Sequence, residues 1–158
     1  MNIIPILISQ YLASLKMLEQ LIVACPEALW NDPADRNPTW HLAYHAIYFV
    51  EEYLADSYET FRPWAGHRRG YEEFPLPPDA EPYDKAAVLA YLAYAREHVQ
   101  ERLPVYNLGW GADAEYTGLE LQIYNIRHIM QHTGELGERL GRAAGVELDW
   151  VGKVYETE

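Results

Sequence analysis

The sequence predicts an all-α protein built from four helical segments. Apolar residues recur at the three- and four-residue spacing of an amphipathic helix in four stretches, and no stretch shows the strict alternation typical of a strand. A long proline-rich segment separates the second stretch from the third, which suits a crossover connection in a four-helix bundle. The chain of 158 residues is long enough for one domain with a buried core, so we expect a single domain over residues 1–158.

The first predicted helix covers residues 3–24 and ends before Pro26. Polar residues interrupt its apolar positions, so we expect an amphipathic helix rather than a signal peptide or a membrane span. The second predicted helix opens at Asn37 and Pro38, because Asn is a favourable N-cap and Pro suits the first helical position. Its helical pattern continues to about Tyr58.

The third and fourth predicted helices have clear start signals. The third begins at Asp84, which can act as an N-cap, and runs to Leu103 ahead of a proline. The fourth begins with a capping box, T-x-x-E, formed by Thr117 and Glu120. Gly145 provides a natural C-terminal stop for this last helix.

The segment between the second and third helices, residues 59–83, contains five of the ten prolines. Such a long irregular connection is uncommon inside a compact domain and often has a function. We expect its aromatic residues to pack over the bundle; these are Phe61, Trp64, Tyr71 and Phe74.

Composition limits the classes of partner. The net charge of −12 argues against nucleic acid, whose phosphates would be repelled. The single cysteine, Cys25, has no partner for an internal disulfide, which fits a reducing cytoplasm. We therefore expect a cytoplasmic protein with no nucleic-acid or membrane partner. A homodimer is the expected assembly, because closed two-fold pairs are the commonest.

Two histidine pairs at i, i+4 spacing, His41/His45 and His128/His132, are the features that point to chemistry. Side chains four residues apart lie on one face of a helix, so two imidazoles can bind one metal ion and a third can come from another helix. His45 falls on the face predicted to point inward, whereas His41 lies one turn earlier, near the helix start. Three imidazoles would leave coordination positions open for water or substrate.

Several motifs of known metal sites are missing, and other interpretations remain open. The chain lacks H-E-x-x-H, which excludes a zinc-protease site, and lacks Glu-x-x-His, which disfavours a ferritin-like di-iron bundle. The histidines can instead serve only as hydrogen-bonded packing residues. A bis-histidine haem site using His45 and His128 is a more distant alternative.

Two motifs resemble those of the DinB-like superfamily. The second helix reads TWHLAYHAIYFVEEYL, with a histidine directly after W-x-L-A-Y, and the fourth reads RHIMQHTGEL, with H-x-x-x-H-x-G-E-L. The layout of the whole chain is similar to that family, while the specific motifs span about twenty-five residues. The resemblance implies an up-down-down-up four-helix bundle with a long crossover between helices two and three.

The resemblance also implies a divalent metal held by three histidines, one from helix two and two from helix four. Carried over to this chain, the motif places the ligands on His45, His128 and His132. His41 matches no ligand position of the family, so we expect it to be an outer neighbour of the site. The metal is expected to be zinc, nickel, iron or manganese, because affinity order and availability govern which is found.

Characterised relatives include enzymes that use low-molecular-weight thiols, which implies a metal-dependent thiol S-transferase acting on a small electrophile. Its partners would be a small thiol and that electrophile. Glu135 is the candidate catalytic residue, as a proton acceptor or as a support for His132, and Asn125 is a candidate support for His128. The alternative function is a non-catalytic bundle that binds a metal or ligand and is associated with stress.

Overall fold

The computed structural model describes residues 2–109 and 115–155. Within these ranges all regular secondary structure is helical, so the all-α prediction is confirmed. The helices are α1 (Ile4–Ala24), α2 (Glu27–Trp30), α3 (Thr39–Glu52), α4 (Lys85–Arg102) and α5 (Gly118–Ala144). The four predicted helices correspond to α1, α3, α4 and α5, whereas the single turn of α2 has no counterpart in the sequence prediction.

The predicted capping residues of α4 and α5 are confirmed. The Asp84 carboxylate accepts a hydrogen bond from the Ala87 amide at the start of α4. At the start of α5, Thr117 and Glu120 bond each other's backbone amides in a capping box. Gly145 ends α5 with a φ of 67°, in the left-handed region that favours glycine.

The predicted start of the second helix is wrong by one residue. Pro38 has an extended ψ of 155°, so α3 begins at Thr39 and Pro38 takes the cap position. Pro38 has no side chain that can accept a hydrogen bond, and Asn37 is displaced from the predicted capping role. The helix is instead secured by its tertiary contacts, since nearly all its residues are buried.

The predicted end of that helix, near Tyr58, is also wrong, because α3 ends at Glu52. Side chains of α5 donate hydrogen bonds to backbone carbonyls at the C-terminal end of α3. Asn125 Nδ2 donates to the Phe49 carbonyl at 2.9 Å, and Gln122 Nε2 donates to the Tyr53 carbonyl at 2.7 Å. The Tyr53 carbonyl lies past the last helical residue, and the Phe49 carbonyl also accepts from the Tyr53 amide at 3.2 Å, so the two side-chain bonds tie the end of α3 to α5.

The four long helices enclose one core. α1 packs against α4 and α5, and α3 packs against the same two helices. Among the described helices, α1 alone is long enough and apolar enough by composition to cross a membrane, a test that core helices also pass. Many residues of α1 are indeed fully buried among the other helices, including Leu15, Leu18 and Ile22.

The connecting segment, residues 53–84 between α3 and α4, lies against α3 and α4 through its aromatic side chains. The Trp64 ring stacks on Tyr91 of α4 with 4.6 Å between centroids. The Phe74 ring lies 4.3 Å from the His45 ring of α3, and Tyr71 is buried. The expectation that these aromatic residues pack over the bundle is confirmed, and this packing brings the segment to the histidines.

Candidate metal centre

The structure brings together the three histidines that the resemblance assigns as ligands. His45 comes from α3, and His128 and His132 come from successive turns of α5. His45 Nε2 lies 3.1 Å from His128 Nε2, and His132 Nε2 also lies 3.1 Å from His128 Nε2. All three nitrogens lie within 4.8 Å of one another, so this histidine triad can hold a metal ion.

The spacing of the triad fits the edges of a metal coordination shell. Zinc binds imidazole nitrogen at about 2.0–2.1 Å in tetrahedral geometry, which separates two ligand nitrogens by roughly 3.3 Å. The observed 3.1 Å separations are close to this value. Small side-chain adjustments are therefore enough to place the nitrogens around one cation.

In two of the rings, a hydrogen bond at Nδ1, which points away from the triad centre, determines which ring nitrogen is unprotonated. His45 Nδ1 lies 2.6 Å from the Glu72 carbonyl oxygen, and because a carbonyl only accepts, Nδ1 must carry the proton. His132 Nδ1 lies 3.4 Å from a Glu135 carboxylate oxygen, which likewise favours a proton on Nδ1. In neutral rings, both Nε2 atoms then present lone pairs to the centre.

His128 is therefore the only triad ring that can place a proton between the three nitrogens. One proton on His128 Nε2 cannot form full hydrogen bonds to both neighbouring lone pairs, so the centre has more acceptors than donors. His128 Nδ1 is buried and has no hydrogen-bond partner within the described ranges. This surplus of lone pairs fits a cation, since each neutral imidazole can donate one to a metal.

Burial keeps the triad rings neutral. Burial, together with the smaller effect of the neighbouring imidazoles, lowers the pKa of His45 to about 3 and that of His128 to about 4. Burial also lowers the pKa of His132. At neutral pH the three rings are thus in the protonation state that metal binding requires.

His41 lies outside the triad and serves the connecting segment instead. Its ring is completely buried, and Nε2 donates to the Tyr71 carbonyl at 2.9 Å. One turn later, His45 donates to the carbonyl of the next residue, Glu72. The two rings therefore hold adjacent peptide groups of the segment against α3, and Phe74 packs on both of them.

Glu135 contacts the ring of His132 on the side away from the triad centre. Its other carboxylate oxygen lies 3.4 Å from Arg139 Nη2, and Arg139 also pairs with Asp35 at 2.9 Å. This arrangement supports the orientation of His132. Asn125, one turn before His128, uses its amide to tie α5 to the Phe49 carbonyl of α3.

Aromatic rings surround the triad on the protein side. The Phe49 ring lies 4.9 Å from His45 and 5.3 Å from His128, and the Tyr124 ring stacks nearly parallel to His128 at 6.3 Å. Beside His128 the site has a cavity of about 130 Å³. The cavity is lined by Tyr124, Arg127, His128 and Gln131. A small molecule can therefore approach from the exposed face of α5.

Sequence reasoning missed a second polar group that adjoins the site. The Tyr44 hydroxyl is hydrogen-bonded to His67 Nδ1 at 2.6 Å, and His67 Nε2 lies 3.6 Å from a Glu72 carboxylate oxygen. The same residue, Glu72, supplies the carbonyl that orients His45. No local motif signals this chain of contacts, because His67 and Glu72 lie in an irregular segment without periodicity.

The donor set defines what the centre can do. Three neutral imidazoles satisfy part of a divalent cation's coordination and leave positions open, as in catalytic rather than structural zinc sites. Glu72 and Glu135 act from behind the rings, the usual place for groups that orient metal-binding histidines.

Comparison with protein-family models, curated proteins and solved structures finds no match for this chain.

Proposed function

We propose that this protein is a divalent-metal protein of the DinB-like superfamily whose ligands are His45, His128 and His132. The observation that carries the proposal is the convergence of three Nε2 atoms that share at most one proton when the rings are neutral. The distribution of ligands, one on α3 and two on α5, agrees with the pattern that the resemblance implies. We also infer a cytoplasmic location and a homodimer.

The proposed bundle has the up-down-down-up arrangement, with the connecting segment as its crossover. Contacts between helix ends support these directions. Tyr11 near the start of α1 bonds Gln122 near the start of α5, and Gln122 also bonds Tyr53 just past the end of α3. Lys85 at the start of α4 bonds the carbonyl of Cys25, which follows α1. These contacts fit α1 and α5 running one way and α3 and α4 the other.

The proposed activity is metal-dependent transfer of a small thiol to a small electrophile. The bound ion, zinc, nickel, iron or manganese, would supply Lewis acidity that lowers the pKa of a thiol. The chain supplies the rest of the site: Glu72 and Glu135 hold two ligand rings, and Phe49 and Phe74 exclude water from the buried side. The cavity beside His128 gives the reactants room.

The second candidate is a non-catalytic bundle that binds a metal or ligand and is associated with stress. The position of Glu135 favours it. This carboxylate faces His132 Nδ1 and pairs with Arg139, so it lies on the far side of the ring from the open centre. It is thus placed to position His132 rather than to accept a proton from a reactant.

The test of the metal site is elemental analysis of untagged protein after incubation with zinc and removal of unbound metal. We expect close to one zinc per chain in the wild type and a large loss in His45→Ala and in His132→Ala. His98→Ala is the matched control, because His98 is a half-buried histidine on α4 that stacks on Tyr94 away from the triad. Equal zinc content in all four proteins would contradict the proposal.

A turnover screen separates the two functions. Metal-loaded wild type is incubated with panels of small thiols and electrophiles, and loss of free thiol is followed. The transferase predicts turnover that disappears in His132→Ala and persists in His98→Ala. Stoichiometric metal without turnover for any pair favours the non-catalytic bundle.

A further inference from the structure

A groove runs along the exposed face of α5, from His128 towards the start of α1. It consists of three adjoining concavities. The first, beside His128, is the cavity of about 130 Å³ described above. The second, of about 420 Å³, shares Tyr124 and Arg127 with the first, and the third, of about 290 Å³, shares Ile123 and Arg127 with the second. The shared residues place the concavities next to one another along α5.

The end of the groove farthest from His128 is apolar. Side chains of Ile3, Ile6 and Leu7 from the start of α1 face Ile123 and Ile126 of α5 there. Ile6 and Ile123 are 45% and 46% exposed, respectively, large fractions for isoleucine. Covering apolar surface of this kind gains about 25 cal/mol per Å². This end therefore favours an apolar chain.

Arg127 lines all three concavities and has no charged partner of its own in the described ranges. Later arginines of α5 differ, since Arg139 pairs with Asp35 and Arg142 pairs with Glu138. An unpaired exposed guanidinium is notable in a chain with a net charge of −12. It offers a planar donor set that suits a carboxylate.

Among the described residues that line the groove, the carboxylate is Glu120, and it is already engaged. Glu120 lines the second concavity, but its Oε2 accepts hydrogen bonds from the Thr117 amide at 3.0 Å and the Thr117 hydroxyl at 2.7 Å. This capping role holds Glu120 at the start of α5. Within the described ranges no carboxylate pairs with Arg127, so its guanidinium can bind an external anion.

We propose that the groove binds a small amphipathic carboxylate, with its carboxylate on Arg127 and its alkyl chain against Ile123 and Ile6. Ile123 lies four residues before Arg127, about 6 Å along the helix axis, so a medium-length chain can run from the guanidinium to the isoleucines. As a description of the substrate class, this inference rests on the proposed function, because the groove ends at a proposed metal ligand. Binding itself can be measured without metal.

The first experiment uses octanoate as the anionic probe, with octanol as the uncharged probe of the same chain length, in calorimetric titrations of the wild type. We expect octanoate to bind at least tenfold more tightly than octanol. Arg127→Gln should abolish this preference, while the control Arg142→Gln, which removes a charge elsewhere on α5, should keep it. No preference in the wild type, or equal loss in both variants, would overturn the proposal.

The second experiment tests the apolar end. Ile6→Gln should weaken octanoate binding several-fold and leave acetate binding unchanged, whereas Val23→Gln, at an exposed position of α1 outside the groove, should change neither. If Ile6→Gln instead changes the oligomeric state and octanoate does not bind, a second copy of the chain covers the face and the proposal is wrong.

Zinc content distinguishes failure of the groove from failure of the metal site. Arg127→Gln should bind zinc like the wild type, because Arg127 is not a ligand. Octanoate preference in a wild type that binds no zinc supports the groove and removes the proposed function. If the protein binds stoichiometric zinc but does not discriminate octanoate from octanol, the proposed metal site is supported and the groove proposal is wrong.

Discussion

His41 and His45 show how the hydrogen-bonded nitrogen decides the role of a histidine. The two residues lie one turn apart on α3, and each donates to a carbonyl of the connecting segment. His45 donates from Nδ1, so its Nε2 remains available to bind a metal ion. His41 donates from Nε2 to the Tyr71 carbonyl, so this nitrogen is not available. Equal spacing on the helix therefore yields one candidate ligand and one structural anchor.

Replacement of His41 tests that distinction. His41→Phe should destabilise the protein by about 1–3 kcal/mol, because the Tyr71 carbonyl loses its donor in a buried setting. His41→Gln should recover much of this loss, since its amide nitrogen can occupy the position of Nε2. Urea unfolding measures the stability.

Zinc content of the same two variants gives the contrasting readout. Both should bind zinc like the wild type, in contrast to His45→Ala. Loss of zinc from folded His41→Gln would instead make His41 part of the metal site.

At this scale the sequence predicts the triad residues and the contact of Glu135 with His132, but not the group that orients His45. Helical spacing and the family motif are local patterns, so His45, His128 and His132 can be identified from them. The Glu72 carbonyl lies 27 residues from His45 in the chain, and every residue type has a carbonyl. Only the path of the connecting segment determines which one meets the ring.

Helix ends differ in how far local sequence determines them. The starts of α4 and α5 depend on Asp84 and on Thr117 with Glu120, whose capping bonds form within three residues. The end of α3 depends on Gln122 and Asn125, which reach it from α5. A pattern confined to residues 37–58 contains no information on that contact, and this is why the predicted helix was too long.

The burial of a carboxylate on α3 gives this helix a pH-dependent contribution to stability. Glu51 is 1% exposed, and its burial, which outweighs the opposite effects of Tyr91 and the Trp64 backbone, raises its pKa to about 7. The folded state thus favours the neutral acid. The contribution of Glu51 to the free energy of unfolding is therefore fully present below its ordinary pKa of 4.5, and it is lost as the pH rises through about 7.

Glu51→Gln removes this titration while keeping the shape of the side chain. Relative to the wild type, the variant should be more stable at pH 8 than at pH 5 by roughly 2 kcal/mol, since each pKa unit corresponds to about 1.4 kcal/mol. Urea unfolding at both pH values measures the difference. The control is Glu138→Gln, an exposed carboxylate on α5, which should show little pH dependence. A wild type and Glu51→Gln that respond equally to pH would contradict the assignment.

Across the whole molecule, the triad joins two helices that are far apart in the chain. His45 and His128 are separated by 83 positions, and the contact between them lies where α3 packs against α5. α1 and α4 contribute no ligand, but α1 packs mainly against α5, and α4 packs against α3. A cation bound at the triad therefore stabilises the α3–α5 interface, and each of the other two long helices packs against one side of it.

Zinc should consequently raise the stability of the entire domain rather than of its centre alone. At a free concentration 100 times its Kd, zinc should add about 2.7 kcal/mol to the free energy of unfolding, because it binds the folded state. For a domain of this size that corresponds to a rise in Tm of roughly 5–10 °C. Thermal unfolding should show this rise in the wild type and in His98→Ala, but not in His132→Ala.

Hydrogen exchange shows how far the added stability extends. If the bundle unfolds as one cooperative unit, zinc should slow exchange of the core amides of α1 and α4 by the same factor as those of α3 and α5. About 2.7 kcal/mol corresponds to a factor of roughly 100. In His132→Ala, zinc should leave the exchange rates of these amides unchanged, so this variant is the control. Protection confined to α3 and α5 would mean that these two helices form a separate unit, and the bundle would not behave as one cooperative domain.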